Sequence, residues 1–296
     1  MQRFTIQSRG GHIAALNFGR ASGPIDVVFL HATGFCALTY RHLLQPLGAG
    51  RRAVALDLRG HGHTTLTARP GQLTSWSTYA SDVTAALKHL NAGLPPPRLI
   101  AGHSMGATVS LLALSADPSL AGALLMIDPP LVLPSVRRWL LLPFGTRVWG
   151  RRLPIARTAG RRRAEFPGHQ EVLASYRGRG AFRTWRPEFL EDYVEDGFVR
   201  RADGSMALRC SPAWESATFA AQRHDLRSAL SALKTPAHML IAEHGSTAER
   251  GLPMVRAHAP GVVCEVVQGS SHFIPMEQPE FVRRRMLEMI EATSRD

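Results

Sequence analysis

The chain has 296 residues, of which 45% are hydrophobic and 20% are charged. This composition is that of an ordinary globular protein, and it excludes a disordered or fibrous chain. The net charge of +12 is large and comes almost wholly from arginine, but no recognisable nucleic-acid-binding module accompanies it. We therefore predict a basic, solvated surface and no nucleic-acid partner.

The cysteines are only three and lie far apart in the sequence, which predicts free thiols in a reducing compartment. The first residues lack the basic and then apolar segments of a secretory signal, and no apolar run reaches the length of a membrane span. These features predict a cytoplasmic protein with no stable membrane insertion.

The predicted elements alternate between strands and helices along most of the chain. In chain order, we predict strands at 3–8, 12–18 and 25–32, a helix at 40–47, a strand at 52–60, a helix at 77–90, a strand at 97–104, a helix at 105–115 and a strand at 121–128. After a long interruption follow a helix at 225–233, strands at 236–244 and 262–269, and a closing helix at 279–292. Apolar strands that alternate with helices predict a mostly parallel sheet that is covered on both faces.

The interruption, residues 129–220, is called the insertion below. It is too long for a structureless loop in a compact domain, so we predict a folded helical cap on a core formed by residues 1–128 and 221–296. Most of the tryptophans lie in the insertion, where they would either line an apolar ligand pocket or attach the cap to the core. They are Trp139, Trp149, Trp185 and Trp214.

Gly102-His103-Ser104-Met105-Gly106 lies between a predicted strand and a predicted helix. A sharp strand-to-helix turn leaves no room for side chains at its two glycine positions and raises the serine hydroxyl above the sheet edge. The motif in this context predicts a nucleophilic Ser104.

Three further motifs follow in a fixed order around this one: HATGF at 31–35, DLRGHG at 57–62 and SSHF at 270–273. With these four motifs the chain resembles the α/β-hydrolase superfamily, in its branch of capped serine hydrolases and esterases. The resemblance covers nearly the whole chain outside the insertion. It implies an α/β-hydrolase fold with an eight-stranded, mostly parallel sheet and helices on both faces.

The resemblance also implies roles for single residues. His272 would be the general base, and the backbone amides of Thr33 and Met105 would hold the oxyanion. The 57–62 segment would be a structural turn rather than a catalytic cluster.

The acid that orients the histidine is less directly indicated. Gly245 stands where the family commonly has its aspartate. Asp128 ends a strand 24 residues after Ser104, a position that some branches of the family use, and it is the predicted acid. Glu243, near the end of a later strand, is the alternative.

These residues together predict hydrolysis of a carboxylic ester of a small apolar substrate through an acyl-enzyme, with no metal and no cofactor. Candidate substrate contacts are His31, Phe35, His103 and Trp185. The same residues would also serve carbon–carbon bond hydrolysis, lactone hydrolysis or acyl transfer to another acceptor. Two alternatives come from other classes: a non-catalytic ligand-binding protein on this fold, and a charge-driven binder of nucleic acid or a membrane surface.

Overall fold

The computed structural model describes residues 1–132, 134–142, 144–148 and 150–293. Its strands are β1 (Gln2–Ser8), β2 (Gly11–Gly19), β3 (Val27–Leu30), β4 (Arg52–Leu56), β5 (Leu99–His103), β6 (Ala123–Ile127), β7 (Glu165–Phe166), β8 (Phe198–Arg200), β9 (Met206–Leu208), β10 (Ala237–His244) and β11 (Val263–Ser271). Its α-helices are α1 (Arg41–Leu44), α2 (Ser77–Leu90), α3 (Met105–Ala116), α4 (Pro134–Leu140), α5 (Gly145–Val148), α6 (Pro154–Gly160), α7 (His169–Tyr176), α8 (Pro187–Gly197), α9 (Pro212–Ala220), α10 (Leu226–Ala232), α11 (Leu252–His258), α12 (Ile274–Glu277) and α13 (Pro279–Ala292). Within the described ranges, none of these helices has the length and apolar character that crossing a bilayer would require.

Eight strands form one sheet in the order β1-β2-β4-β3-β5-β6-β10-β11. β2 runs antiparallel to both of its neighbours, and the remaining pairs are parallel. The prediction of an eight-stranded, mostly parallel sheet is therefore confirmed. β5 lies in the middle of this sheet, so the residue that follows it emerges at the centre of the edge where parallel strands end.

Both faces of the sheet are buried, as the apolar strands predict. In β3, Val28 and Leu30 belong to the hydrophobic cluster on one face, whereas Val27 and Phe29 belong to the cluster on the other. This alternation follows from the two-residue period of a strand. The central strands are thus fixed on both sides, which gives the residues at their ends a rigid base.

The insertion folds outside the large sheet. Its described residues form α4 to α9 and a separate three-stranded antiparallel sheet in the order β7-β9-β8. The expectation of a purely helical insertion is therefore incomplete. Strands of two or three residues are too short to produce a recognisable period in the sequence. Trp149 lies outside the described residues.

Candidate active site

Ser104 is the single residue between β5 and α3, and its backbone has φ 53° and ψ −118°. A positive φ is costly for a residue with a side chain, and such strain is typical of functional turns. A Cβ on Gly102 would lie 2.4 Å from the backbone of Gly106, and one on Gly106 would lie 2.2 Å from the carbonyl oxygen of Leu30. The two glycines of the motif are thus required by close backbone approach.

The neighbouring strand brings Asp128 to the same level. His103 and Ile127 are paired in the β5–β6 ladder, so Ser104 and Asp128 leave adjacent strands side by side. The amide of Ser104 donates to the carbonyl of Ile127 at 2.8 Å. The Ser104 hydroxyl makes no hydrogen bond with any protein group in the described ranges, and such contacts commonly form only when substrate is bound.

The Asp128 carboxylate is fully buried and lies 2.6 Å from Nδ1 of His272. It also accepts hydrogen bonds from the Ser246 hydroxyl at 2.5 Å and from the amides of Ala242 and Thr247 at 3.0 and 2.9 Å. Burial opposes its ionisation, but the hydrogen bond and charge of His272, helped by Ser246 and Thr247, outweigh burial and lower the pKa of Asp128. An ionised Asp128 therefore holds His272 with its Nε2 available for chemistry.

Glu243, the alternative acid, lies elsewhere. Its carboxylate accepts from the amide of Gly269 at 2.7 Å and lies 3.5 Å from Nε2 of His244. Of the two candidate acids, the structure brings only Asp128 to His272.

The loop after β3 leaves one of its amides unused. The amide of Ala32 donates to the Tyr40 hydroxyl at 3.1 Å, that of Gly34 to Nε2 of His61 at 3.0 Å, and that of Phe35 to the carbonyl of Ala32 at 3.2 Å. In this part of the described chain, the Thr33 amide has no protein acceptor. The Thr33 hydroxyl lies 3.3 Å from the sulfur of Met105, whose own amide is the first of α3 and has no partner within its helix. The amides of Thr33 and Met105 are thus free of protein acceptors among the described residues, and the two residues are in contact through their side chains.

Two buried histidines, His31 and His61, form hydrogen bonds with the backbone of the loop after β3 and of the 57–62 turn. His31 accepts at Nε2 from the amide of Leu58 at 2.9 Å, and His61 accepts at Nε2 from that of Gly34. Their Nδ1 atoms lie 2.8 and 2.9 Å from the carbonyl oxygens of Ala32 and Arg59. Burial lowers the pKa of His31 well below its ordinary value and that of His61 to about 4, so both rings are neutral. The structure gives no support to the prediction of His31 as a substrate contact, because both of its nitrogens are occupied.

His103 is also occupied. Its Nδ1 lies 2.7 Å from the Tyr40 hydroxyl, and its Nε2 lies 2.8 Å from the carbonyl oxygen of His272. Burial, with the nearby charge of His272, lowers the pKa of His103 to about 3. The neutral ring therefore accepts from Tyr40 and donates to the main chain of His272. Both ring nitrogens are engaged within the protein, so the structure gives no support to the prediction of His103 as a substrate contact.

Aromatic rings form a wall above the loop after β3. The centroid of Trp185 lies 5.0 Å from that of Phe35, 4.7 Å from that of Phe182 and 5.6 Å from that of Phe273. Phe35 also contacts Tyr193, at 5.5 Å between centroids. Phe35 and Trp185, two predicted substrate contacts, are thus brought together next to the loop.

The insertion contacts the core loops at two further points. The indole Nε1 of Trp214 donates to the carbonyl of Arg59 at 3.0 Å, which attaches the insertion to the 57–62 turn. Arg162 donates to Glu215 at 2.6 Å, and a Cβ built on Gly34 would lie 2.6 Å from Oε1 of Glu215. Trp139, by contrast, is 56% exposed.

A cleft of about 320 Å³ lies next to His272. It lies between the 180–184 segment of the insertion and the ends of β10 and β11. Its lining residues are Gly180, Ala181, Arg183, Thr184, His244, Gly245, Ser271, His272 and Phe273. In the part of the chain that the structure describes, no cluster of three His, Cys, Asp or Glu side chains is arranged to hold a metal ion.

Protein phosphatase methylesterase 1 of Bos taurus is 38% identical over 112 residues, which are 36% of this chain and only 28% of that protein. The dihydrolipoyllysine-residue acetyltransferase component of the acetoin cleaving system of Pseudomonas putida is 30% identical over 266 residues, 90% of this chain and 63% of that protein. The crystal structure of E-2-(acetamidomethylene)succinate hydrolase superposes with a TM-score of 0.80 at 20% identity, over 98% of this chain and 99% of that one.

A sequence model of the alpha/beta hydrolase family matches residues 27–285. This range runs from β3 into α13 and includes Ser104, Asp128 and His272. The relatives and the family support a hydrolase. Because the match covers most of the chain, the protein belongs to the alpha/beta hydrolase family.

Proposed function

We propose that the protein is a serine hydrolase that cleaves a carboxylic ester of a small, largely apolar acid through an acyl-enzyme on Ser104. The observation that carries the proposal is the contact of the buried Asp128 with Nδ1 of the half-buried His272, 2.6 Å apart, at the strand end next to the strained Ser104. A buried carboxylate that orients a histidine beside a raised serine is the arrangement that activates a hydroxyl for attack.

In this mechanism His272 takes the proton of the Ser104 hydroxyl while Oγ attacks the carbonyl carbon. The negative charge on the carbonyl oxygen is held by the amides of Thr33 and Met105. The tetrahedral intermediate then expels the alcohol, which receives the proton from His272. A water molecule that His272 deprotonates attacks the acyl carbon, and the acid leaves Ser104 free again.

The insertion would act as the cap over this site. Trp185 packs on Phe35 and Glu215 lies against Gly34, so the insertion covers the loop that carries Thr33. The aromatic wall of Phe35, Trp185 and Phe273 supplies apolar surface on this side of the site. An apolar acyl group fits such a wall better than a polar one.

Hydrolysis of p-nitrophenyl esters of increasing acyl length tests the proposal. Wild type should turn over at least one member, and Ser104→Ala should lower kcat by roughly 10⁶ while it remains folded. Ser110→Ala is the matched control, because Ser110 lies in α3, the helix that follows Ser104, and its hydroxyl bonds only the carbonyl of Gly106, at 2.8 Å. No turnover of any ester by wild type would favour a ligand-binding protein on this fold.

A second candidate is acyl transfer to an acceptor other than water. The observation that favours it is the 30% identity over 90% of the chain with an acetyltransferase component of Pseudomonas putida. The two candidates share every step up to the acyl-enzyme. Adding a small thiol or alcohol to the ester assay separates them, because a transferase would form the new thioester or ester in preference to the free acid.

A further inference from the structure

His272, the proposed base, is one of the residues that line the cleft of about 320 Å³. In the proposed reaction His272 protonates the departing oxygen, so the leaving group must lie next to this ring. His272 lines the cleft, whereas Ser104, Thr33 and Met105 do not. A substituent on the leaving group would therefore extend past His272 into the cleft.

The ionisable side chains that line this cleft are all basic. They are Arg183, His244 and His272, and no carboxylate is among the lining residues. Arg183 is exposed, and in the described part of the chain its guanidinium makes no ion pair or hydrogen bond. Two other arginines of the insertion, Arg162 and Arg186, are paired with Glu215 and Glu280, whereas Arg179 resembles Arg183 in having no side-chain partner among the described residues.

Two carboxylates that belong to the segments around the cleft, those of Glu277 and Glu243, are engaged by other groups. Glu277 lies behind Ser271, where its two oxygens accept from the Ser271 amide at 2.7 Å and hydroxyl at 2.5 Å. Glu243 is engaged by the amide of Gly269 and by His244. The cleft thus presents a free guanidinium to whatever enters it.

We propose that this cleft binds a leaving group that carries a carboxylate, with Arg183 as the residue that recognises it. A guanidinium matches a carboxylate through two parallel hydrogen bonds, and one positive charge balances one negative charge. This inference rests on the proposed esterase function, because it names the class of alcohol that the esterase would release. The substrate would then be an apolar acyl ester of a hydroxy acid.

Paired aryl esters test the inference. All esters carry the acyl group that wild type prefers. In one pair the leaving groups are 4-hydroxybenzoate and its neutral analogue 4-hydroxybenzamide. In a second pair they are 3-hydroxybenzoate and 3-hydroxybenzamide. The measured quantity is kcat/KM for the carboxylate ester divided by kcat/KM for the amide ester. Comparing this ratio between variants cancels the different intrinsic reactivity of the two esters.

Arg183→Gln should lower this ratio about fivefold for at least one isomer pair, a modest effect because the guanidinium is exposed to water. Arg179→Gln is the matched control, since it removes an exposed charge from the same segment but does not line the cleft. It should leave the ratio unchanged. Competitive inhibition by 4-hydroxybenzoate should weaken with Arg183→Gln and not with Arg179→Gln.

Two results would overturn the inference. Unchanged ratios in Arg183→Gln would show that the cleft does not recognise the carboxylate. Equal falls in both arginine variants would show attraction by the overall positive charge instead of a binding site. In either case turnover of the hydroxybenzamide esters would leave the esterase proposal standing. Failure of the esterase proposal itself would appear as no turnover of any ester.

Discussion

The imidazole Nε2 of His103 lies 2.8 Å from the backbone carbonyl oxygen of His272. The residue before the proposed nucleophile thus holds the main chain of the proposed base. The other ring nitrogen of His103, Nδ1, accepts from the Tyr40 hydroxyl. That hydroxyl in turn accepts from the amide of Ala32. One buried chain of hydrogen bonds therefore connects the loop of Thr33 with His272.

Tyr40→Phe should interrupt this chain. It leaves the Ala32 amide and Nδ1 of His103 unpaired in the core, which typically costs about 1–3 kcal/mol per group. We expect a lower free energy of unfolding and a fall in kcat of about tenfold, with KM little changed, because the loop and the base lose their common support. Urea unfolding and ester kinetics measure the two effects.

Tyr79→Phe is the control for Tyr40→Phe. Its buried hydroxyl bonds Thr218 at 2.7 Å, outside this chain. It should lose stability without the fall in kcat. Equal losses of kcat in both variants would mean that Tyr40 acts only through stability.

Asp128→Asn should abolish most of the activity, whereas Glu243→Gln should change it less than twofold. An asparagine cannot both accept from Nδ1 of His272 and stabilise the charged ring, and a loss of about 10⁴ in kcat is typical for such a change in a serine protease. The measurement is kcat on the best ester, with folding checked by circular dichroism. A large loss in Glu243→Gln together with a small one in Asp128→Asn would exchange their roles.

Gly34→Ala should damage the oxyanion loop. Gly34 has φ +82°, and a Cβ there would lie 2.6 Å from Oε1 of Glu215. We expect kcat to fall by about 10², because moving the neighbouring Thr33 amide removes one donor to the oxyanion. Gly23→Ala is the matched control, with φ +87° and no atom within 4 Å of its Cβ. It should lose about 1–2 kcal/mol of stability through backbone strain and keep its kcat. Equal kcat in the two variants would contradict the assignment of the loop.

Arg162→Met should be strongly destabilising. Arg162 bonds Glu215 and the hydroxyls of Tyr176 and Tyr193, and the side chain of Glu215 is only 7% exposed. Removing the cation leaves a buried carboxylate without compensation, which typically costs about 3–5 kcal/mol. The double variant Arg162→Met/Glu215→Gln should recover much of this loss in urea unfolding. No recovery would mean that packing of the Arg162 side chain, not charge balance, carries the effect.

Much of this fold could be predicted because its signals are local. The strand, turn and helix around Ser104 follow from a few consecutive residues, and so does the position of Asp128 at the end of the next strand. Gly34 could also be placed in a motif, but its contact with Glu215 joins residues 181 positions apart and leaves no mark in the sequence.

Other parts could not be predicted for related reasons. The roles of His31 and His103 depend on partners such as Leu58 and Tyr40, which only the folded chain brings near. Histidines in motifs of this family suggest chemistry, yet these two are buried and both ring nitrogens of each have protein partners. The strands β7 to β9 were missed because they are too short to show a period.

Covalent labelling tests most directly whether Ser104 is the nucleophile. An alkyl fluorophosphonate should add once to wild type, with mass spectrometry locating the adduct on Ser104. Ser104→Ala should take up no label, and Asp128→Asn should react far more slowly. Labelling of a different residue in wild type, or equal labelling of Ser104→Ala, would contradict the account.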